Sequence, residues 1–190
     1  MFNPLNLLSK IIKSSNQKEL DRIQQIVTKT NNLENNIIKL SDDDFPKKTE
    51  EFKKKINEGV SLNDILPEAF ALVREASKRI INERHFDCQI LGSVVIHEGK
   101  ICEAKTGEGK TNMIVCAAYL NALSKKGVHV VTVNDYLAKR DCQNMGKIYN
   151  FLGLTTGYIN NDQSDEERKH NYNCDITYAT NSELGFDYLR

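Results

Sequence analysis

With 190 residues, the chain is long enough for one domain, or for one domain with an extension, around a substantial hydrophobic core. Hydrophobic residues make up 39% and charged residues 27%, values that favour neither a disordered chain nor a membrane-spanning one. The 26 basic residues balance the 26 acidic residues, so there is no overall positive field to attract nucleic acid or anionic lipid.

The cysteines and histidines indicate no metal ligand in the protein chain itself. The five cysteines contain no C-x-x-C pair, and the four histidines form no H-E-x-x-H pattern. This cysteine usage predicts neither a disulfide framework nor a zinc site, and it favours a reducing cytosol.

The N-terminal stretch 1–13 is apolar but too short and too interrupted for a signal peptide or a membrane-spanning helix. Phe2, Leu5, Leu8 and Ile12 share one helical face. Two interpretations stay open: an interfacial membrane anchor, and a helix that packs on its own domain.

The first eighty residues have helical periodicity and no chemistry-bearing motif. The spacing predicts a helix over 17–40 with a break inside it, a second helix that follows Ser41 and ends near Gly59, and a third that begins near Pro67. We assign residues 1–82 to an N-terminal helical extension.

Short β-rich runs alternate with helical patterns in residues 83–190. Strands are predicted at 100–104, 128–133, 155–159 and 175–179. Helices are predicted to begin at Lys110, near Asp135 and near Asp165, and the first of them is predicted to end at Gly127. This alternation is typical of an α/β fold with a parallel sheet.

The segment "AKTGEGKT" at 104–111 has the Gly-Lys-Thr ending of a phosphate-binding loop, but Ala104 stands in place of the first glycine. Gly107 and Gly109 allow backbone N–H groups to converge on phosphates at a helix N-terminus. Lys110 would neutralise the phosphates of ATP, and the Thr111 hydroxyl would ligate Mg²⁺. The alternative is an exposed turn that matches the pattern by chance.

Gln89 stands 18 residues before Gly107. Its carboxamide offers a donor and an acceptor that match the N6 amino group and N7 of adenine, which would select ATP over GTP. The alternative is an ordinary helix residue.

Groups for hydrolysis are harder to identify. No apolar run ends in Asp-Glu to hold Mg²⁺, Asp135 is predicted to cap the helix after the run "VHVVTV", and no arginine finger is evident.

Several segments together closely resemble the N-terminal part of the SecA family, the ATP-driven motors of bacterial preprotein translocation. They are "RHFDCQILG", "TGEGKT", "AAYLNALSKKGVHVVTVNDYLAKRD", "FLGLTTG" and "DITYATNSELGFDYLR", with the helical "KLSDDDFPKKTEEFKKKI" and "LPEAFALVREASKRI" before them. The resemblance covers nearly the whole chain. It implies that residues 83–190 are the first part of a nucleotide-binding domain, an incomplete P-loop NTPase domain that is RecA-like and similar to helicase superfamily 2.

The resemblance also implies roles for particular residues. Gln89 would read adenine, as the Q motif of the family does. The nucleotide loop would consist of Gly107, Glu108, Gly109, Lys110 and Thr111, with Lys110 and Thr111 as the catalytic residues. Since the family itself lacks the first glycine of the loop, Ala104 is compatible with function, although Met is usual there.

Partners and location follow from the same resemblance. It implies a SecYEG-type channel, preproteins, an anionic membrane surface and room for a homodimer, with no nucleic acid. It places the protein in the cytoplasm, peripherally on the inner membrane. Family members continue past "GFDYLR" into the Asp-Glu motif and the second nucleotide-binding domain, so this chain alone is expected to bind nucleotide weakly and without turnover.

The chain departs from the family pattern in its nucleotide region: Glu83 replaces a usual Met, Asn112 a Leu and Ala117 a Pro.

Three other functions stay open: a nucleic-acid helicase of the related superfamily, a small P-loop kinase, and a non-catalytic remnant or regulator of a translocase. The balanced charge counts against the helicase, and the lack of an Arg-rich lid counts against the kinase.

Overall fold

The computed structural model of the chain describes residues 14–189. The predicted amphipathic segment at 2–12 lies outside the described residues. Four helices precede the nucleotide loop: α1 (Ser15–Ile37), α2 (Asp44–Asn57), α3 (Leu62–Ile81) and α4 (Asp87–His97). The loop leads into α5 (Lys110–Ala122), after which strands and helices alternate as β1 (Val128–Thr132), α6 (Asp135–Phe151), β2 (Thr156–Tyr158), α7 (Asp165–Tyr172), β3 (Ile176–Thr180) and α8 (Asn181–Leu189).

The three strands form a parallel sheet in the order β1-β3-β2. All five residues of the central strand β3 are buried. Helices connect the strands, as parallel pairing requires. The predicted α/β class with a parallel sheet and a helical lead-in is therefore confirmed, and so are the strands predicted near 128, 155 and 175.

The segment 100–104, predicted as the strand before the loop, is not a strand. Its residues have no ladder partner in the described part of the chain, and Ile101 is 98% exposed. A β-strand depends on a neighbour that supplies its hydrogen bonds, so strand-like composition alone does not produce one.

Two helix boundaries also differ from the predictions. Helix α3 begins five residues before Pro67, because Ser61 and Asp64 form a capping box there and Pro67 lies inside the helix. Helix α5 ends at Ala122, before Gly127, and Ser124 Oγ donates to the Asn121 carbonyl at its end.

Asn134, not Asp135, caps α6. Its Oδ1 accepts a hydrogen bond from Leu137 N at 2.8 Å, and Asp135 is the first residue of the helix. Helix α1 runs without the predicted break. Neutral Asn caps as well as Asp does, so the sequence pattern could not separate the two positions.

A single hydrophobic core connects the helical lead-in to the sheet layer. It includes Phe52 and Phe70 from α2 and α3, Tyr119 from α5 and Tyr149 from α6. The Thr49 and Tyr119 hydroxyls are 2.7 Å apart within it. The division at residue 82 therefore stays a prediction about function, since packing is continuous across it. Between residues 14 and 189, no helix is both long and apolar enough to cross a membrane.

Candidate nucleotide-binding site

The loop 105–109 folds into a tight turn before α5. Gly107 and Gly109 have φ values of +90° and +75°, in the left-handed region that glycine adopts without strain. The turn is closed twice: Lys105 N donates to the Glu108 carboxylate at 2.7 Å, and Glu108 N donates to the Lys105 carbonyl at 3.2 Å. Both glycines of the predicted phosphate loop therefore take backbone conformations that favour glycine.

The N-terminus of α5 lacks a side-chain cap because its N-cap residue is Gly109. Helices α1, α3, α6 and α7 are each capped by a Ser or Asn side chain, whereas α2 and α4, like α5, have no side-chain cap. The first-turn N–H groups and the positive end of the helix dipole are thus suited to an anion. Lys110 is exposed and Thr111 is half-buried at this end.

Gln89 lies against the loop from the first turn of α4. Its Nε2 donates to the Glu108 carbonyl at 3.1 Å, and its Oε1 accepts from Phe86 N at 2.9 Å. The side chain is buried. One N–H and one lone pair of the carboxamide remain for a ligand, so Gln89 can both hold the loop and read a base.

A cavity of about 750 Å³ opens beside these elements. Of the predicted site residues, Gln89, Gly107, Glu108 and Gly109 line it, whereas Lys110 and Thr111 do not and lie at the adjoining helix start. The other lining residues come from 82–92, Cys102, Glu103, Asn112 and Met113. Its volume is in the range of small-molecule sites.

Helices α4 and α5 approach closely behind the cavity. A Cβ on Gly92 would lie 2.9 Å from Met113 Sδ, so a larger residue there would require the Met113 side chain to shift. The buried Ser93 Oγ lies 2.6 Å from the Met113 carbonyl and 2.8 Å from the Gln89 carbonyl. The Gln89 segment is therefore fixed relative to the start of α5.

His85 connects the segment 82–92 to the start of α5. Its Nε2 donates to the Asn112 carbonyl at 2.9 Å, and its Nδ1 has no partner. Burial lowers the pKa of His85 to about 4, so the ring is neutral at pH 7.

The pKa of His85 makes stability depend on pH. The unfolded chain binds a proton near pH 6.5 and the folded chain only near pH 4, so the stabilisation is complete above pH 6.5 and is lost as pH falls toward 4. We expect the free energy of unfolding to fall by about 2 kcal/mol between pH 7 and pH 5 from this residue. Urea denaturation should show that His85→Gln removes this component and that the same change at exposed His170 does not. An unaltered pH slope in His85→Gln would contradict this assignment.

The helical lead-in is tied to the cavity wall by charged residues. Arg84 binds the Glu34 carboxylate of α1 through Nε at 2.6 Å and Nη2 at 2.7 Å. The buried Arg74 of α3 donates to Asn31 Oδ1 at 2.5 Å and to Asp87 Oδ1 at 3.0 Å. The hydrogen bonds from Arg84 lower the pKa of Glu34. These contacts hold α1 and α3 against the segment that carries Gln89.

Sequence reasoning found the loop and Gln89 but not the residues that brace them. No role was predicted for His85, Ser93, Arg74 or Glu34, because their partners in these contacts are distant in sequence. One feature of the sequence pointed to Arg74. It interrupts the apolar stripe of α3, and a charged side chain at a buried position needs a partner.

Comparison with known proteins identifies relatives over almost the entire chain. The family model described as SecA DEAD-like domain matches residues 8–190. Proteins named "Protein translocase subunit SecA" are 72% identical over the whole chain in Pelagibacter ubique (strain HTCC1062), 55% identical over 98% of it in Clostridium botulinum (strain Alaska E43 / Type E3), and 57% identical over 97% of it in Geobacter metallireducens. The chain spans about a fifth of the length of these relatives, 22%, 22% and 21% respectively.

Proposed function

The chain belongs to the SecA DEAD-like domain family, and from this membership we propose that it is the N-terminal portion of an ATP-driven motor that moves preproteins across a membrane. ATP would bind beside the loop 105–109, in the cavity that Gln89 also lines. The observation that carries the proposal is the uncapped start of α5 behind two left-handed glycines, next to a cavity of suitable volume.

The residues at the loop fit a nucleotide carried with Mg²⁺. Lys110 would pair with the β and γ phosphates, and the main-chain N–H groups of 107–111 would cradle them. Thr111 would offer its hydroxyl to Mg²⁺, which neutralises phosphate charge when bound. The residual donor and acceptor of Gln89 would face the adenine.

The whole motor would act with other molecules. By its relatives' name, translocase subunit, we propose a SecYEG-type channel, preproteins and an anionic membrane surface as partners, with homodimerisation as one assembly. Such a protein would work in the cytoplasm, peripherally on the inner membrane.

The 190-residue chain alone should bind ATP weakly and not turn it over. Hydrolysis needs a carboxylate on a neighbouring strand and a group that positions water, and neither is recognisable in this sequence. A coupled phosphate-release assay with purified chain and Mg²⁺ should therefore give no release above a protein-free blank. Steady release that Lys110→Ala abolishes would contradict this prediction.

A further inference from the structure

Four charged side chains form a closed ring beside the segment that leads into the nucleotide loop. Glu19 and Arg22 belong to α1, and Glu98 and Lys100 follow the end of α4. Lys100 Nζ donates to Glu98 Oε2 at 2.7 Å and also to Glu19 Oε1. Arg22 Nη2 donates to Glu98 Oε1 at 2.6 Å, and Arg22 Nε donates to Glu19 Oε2 at 2.9 Å. Each member of this charged ring therefore contacts two charges of opposite sign.

The charged ring is ionised at neutral pH. The hydrogen bonds from Arg22 and Lys100 lower the pKa of Glu19 to about 2, and the hydrogen bond to Glu19 raises the pKa of Lys100. All four side chains stay partly exposed, where a single ion pair stabilises little. A closed network differs from a single pair, because each side chain is already held by its other partner when a given bond forms.

Lys100 is also fixed through its main chain. Its N–H donates to the Val95 carbonyl at 3.1 Å, and Gly99 N donates to the Ile96 carbonyl at 3.0 Å, which closes the end of α4. Lys100 thus joins α4, through its main chain, to α1, through its side chain. The chain beyond it lacks comparable support, since residues 101–104 make no hydrogen bond to any residue between 14 and 189.

The nucleotide loop is therefore held from two sides. Downstream, the contacts of Gln89 and Ser93 hold the loop and the first turn of α5. Upstream, Lys100 is the nearest hydrogen-bonded residue among those that the structure describes. The turn closes only later, where Lys105 and Glu108 exchange hydrogen bonds. The position of Lys100 thus sets where the main chain enters the turn.

We propose that the charged ring positions the nucleotide loop, so that the contact of α1 with Lys100 sets how tightly phosphate groups bind at the start of α5. The inference rests on the proposed function, because it assumes that a nucleotide binds at this loop. It makes Glu19, Arg22, Glu98 and Lys100 positioning residues, which act through the main chain of the loop. Because such coupling is reciprocal, a bound nucleotide would in turn strengthen the contact between α1 and Lys100.

Solvent exchange of backbone amides, measured by NMR in the nucleotide-free chain, tests the positioning directly. The amides of Lys105 and Glu108 report on the turn, because their N–H groups form the two hydrogen bonds that close it. Lys100→Met removes the charge and keeps most of the side-chain length, so we expect these amides to exchange about threefold faster. Lys100→Arg keeps the charge and should keep the rate. Unchanged exchange in Lys100→Met would overturn the proposal.

Calorimetric titration with ATP and Mg²⁺ tests the consequence for binding. Lys100→Met and Glu19→Ala should each weaken ATP binding about threefold, because each opens the charged ring. The two variants change the net charge in opposite directions, so a long-range charge effect on the anionic nucleotide would weaken binding in one and strengthen it in the other. The double variant should lose little more than either single variant. Effects of opposite sign, or unchanged affinity in both variants, would contradict the positioning role.

Lys18→Met is the matched control. Lys18 is an exposed lysine of α1 outside the charged ring, so its replacement should change neither the exchange rates nor the ATP affinity. Equal effects of Lys18→Met and Lys100→Met would mean that the ring has no special role. A merely structural role of Lys100 would also accelerate exchange in α7 and lower the melting temperature, and we expect neither change.

Failure of the proposed function would look different. If the unmodified chain binds no ATP, the proposed function and this inference are both wrong. If it binds ATP and loses it in Lys110→Ala, but Lys100→Met and Glu19→Ala keep the affinity, only the role of the charged ring is wrong.

Discussion

Lys110→Ala should weaken ATP binding on the order of 100-fold, because it removes the cation that faces the phosphates at the start of α5. Lys110 is exposed and is the first residue of that helix, so alanine should leave the fold intact. Calorimetric titration of the chain with ATP and Mg²⁺ measures the effect.

Lys105→Ala is the matched control for that prediction. Lys105 is an exposed lysine of the same loop, and its structural contacts with Glu108 use its main chain. We expect the affinity for ATP to change less than about threefold, since this variant loses only a charge that solvent and salt screen. Equal losses from the two lysines would mean that the loop attracts anions by net charge and has no specific phosphate position.

Gly109→Ala should impair both the fold and the site. The residue has φ +75°, and a Cβ there would lie 2.2 Å from Gln89 Nε2. The left-handed backbone alone costs about 1–2 kcal/mol for alanine, and displacement of Gln89 breaks its bond to Glu108. We expect the free energy of unfolding to fall by about 2–3 kcal/mol, with loss of measurable ATP binding.

Gly107→Ala is the control that carries the backbone strain without the steric clash. Gly107 has φ +90°, but a Cβ on it would meet nothing within 4 Å. Urea denaturation should therefore show a smaller loss of stability for Gly107→Ala than for Gly109→Ala. Equal losses would mean that Gln89 moves aside freely and does not support the loop.

Local signals in the sequence predicted much of the fold. Capping residues, turn glycines and alternating β-rich runs act over a few neighbours, and they located the strands near 128, 155 and 175. The strand predicted at 100–104 is wrong because a strand forms only beside a partner strand, which local sequence does not indicate. No bounds were predicted for α4, although an ordinary helix residue was the alternative for Gln89, and α8 was not predicted, since it follows β3 directly and buries none of its residues.

The site was predictable to the extent that it is local. The loop is contiguous, so its glycines, Lys110 and Thr111 could be predicted as site residues from their spacing and from the helix that follows them. The contacts of Asn112 with Glu83 and His85 join residues 29 and 27 positions apart, and only the packing of α4 on α5 brings them together. No periodicity carries such information.

The most direct test of the account is a titration of the isotopically labelled chain with ATP and Mg²⁺, monitored through its backbone amide NMR signals. If ATP binds at the start of α5, the largest shifts should fall on 105–113 and 83–92, with α7 unaffected, and Lys110→Ala should remove them. Shifts spread over charged surface positions, or their persistence in Lys110→Ala, would contradict nucleotide binding at this loop.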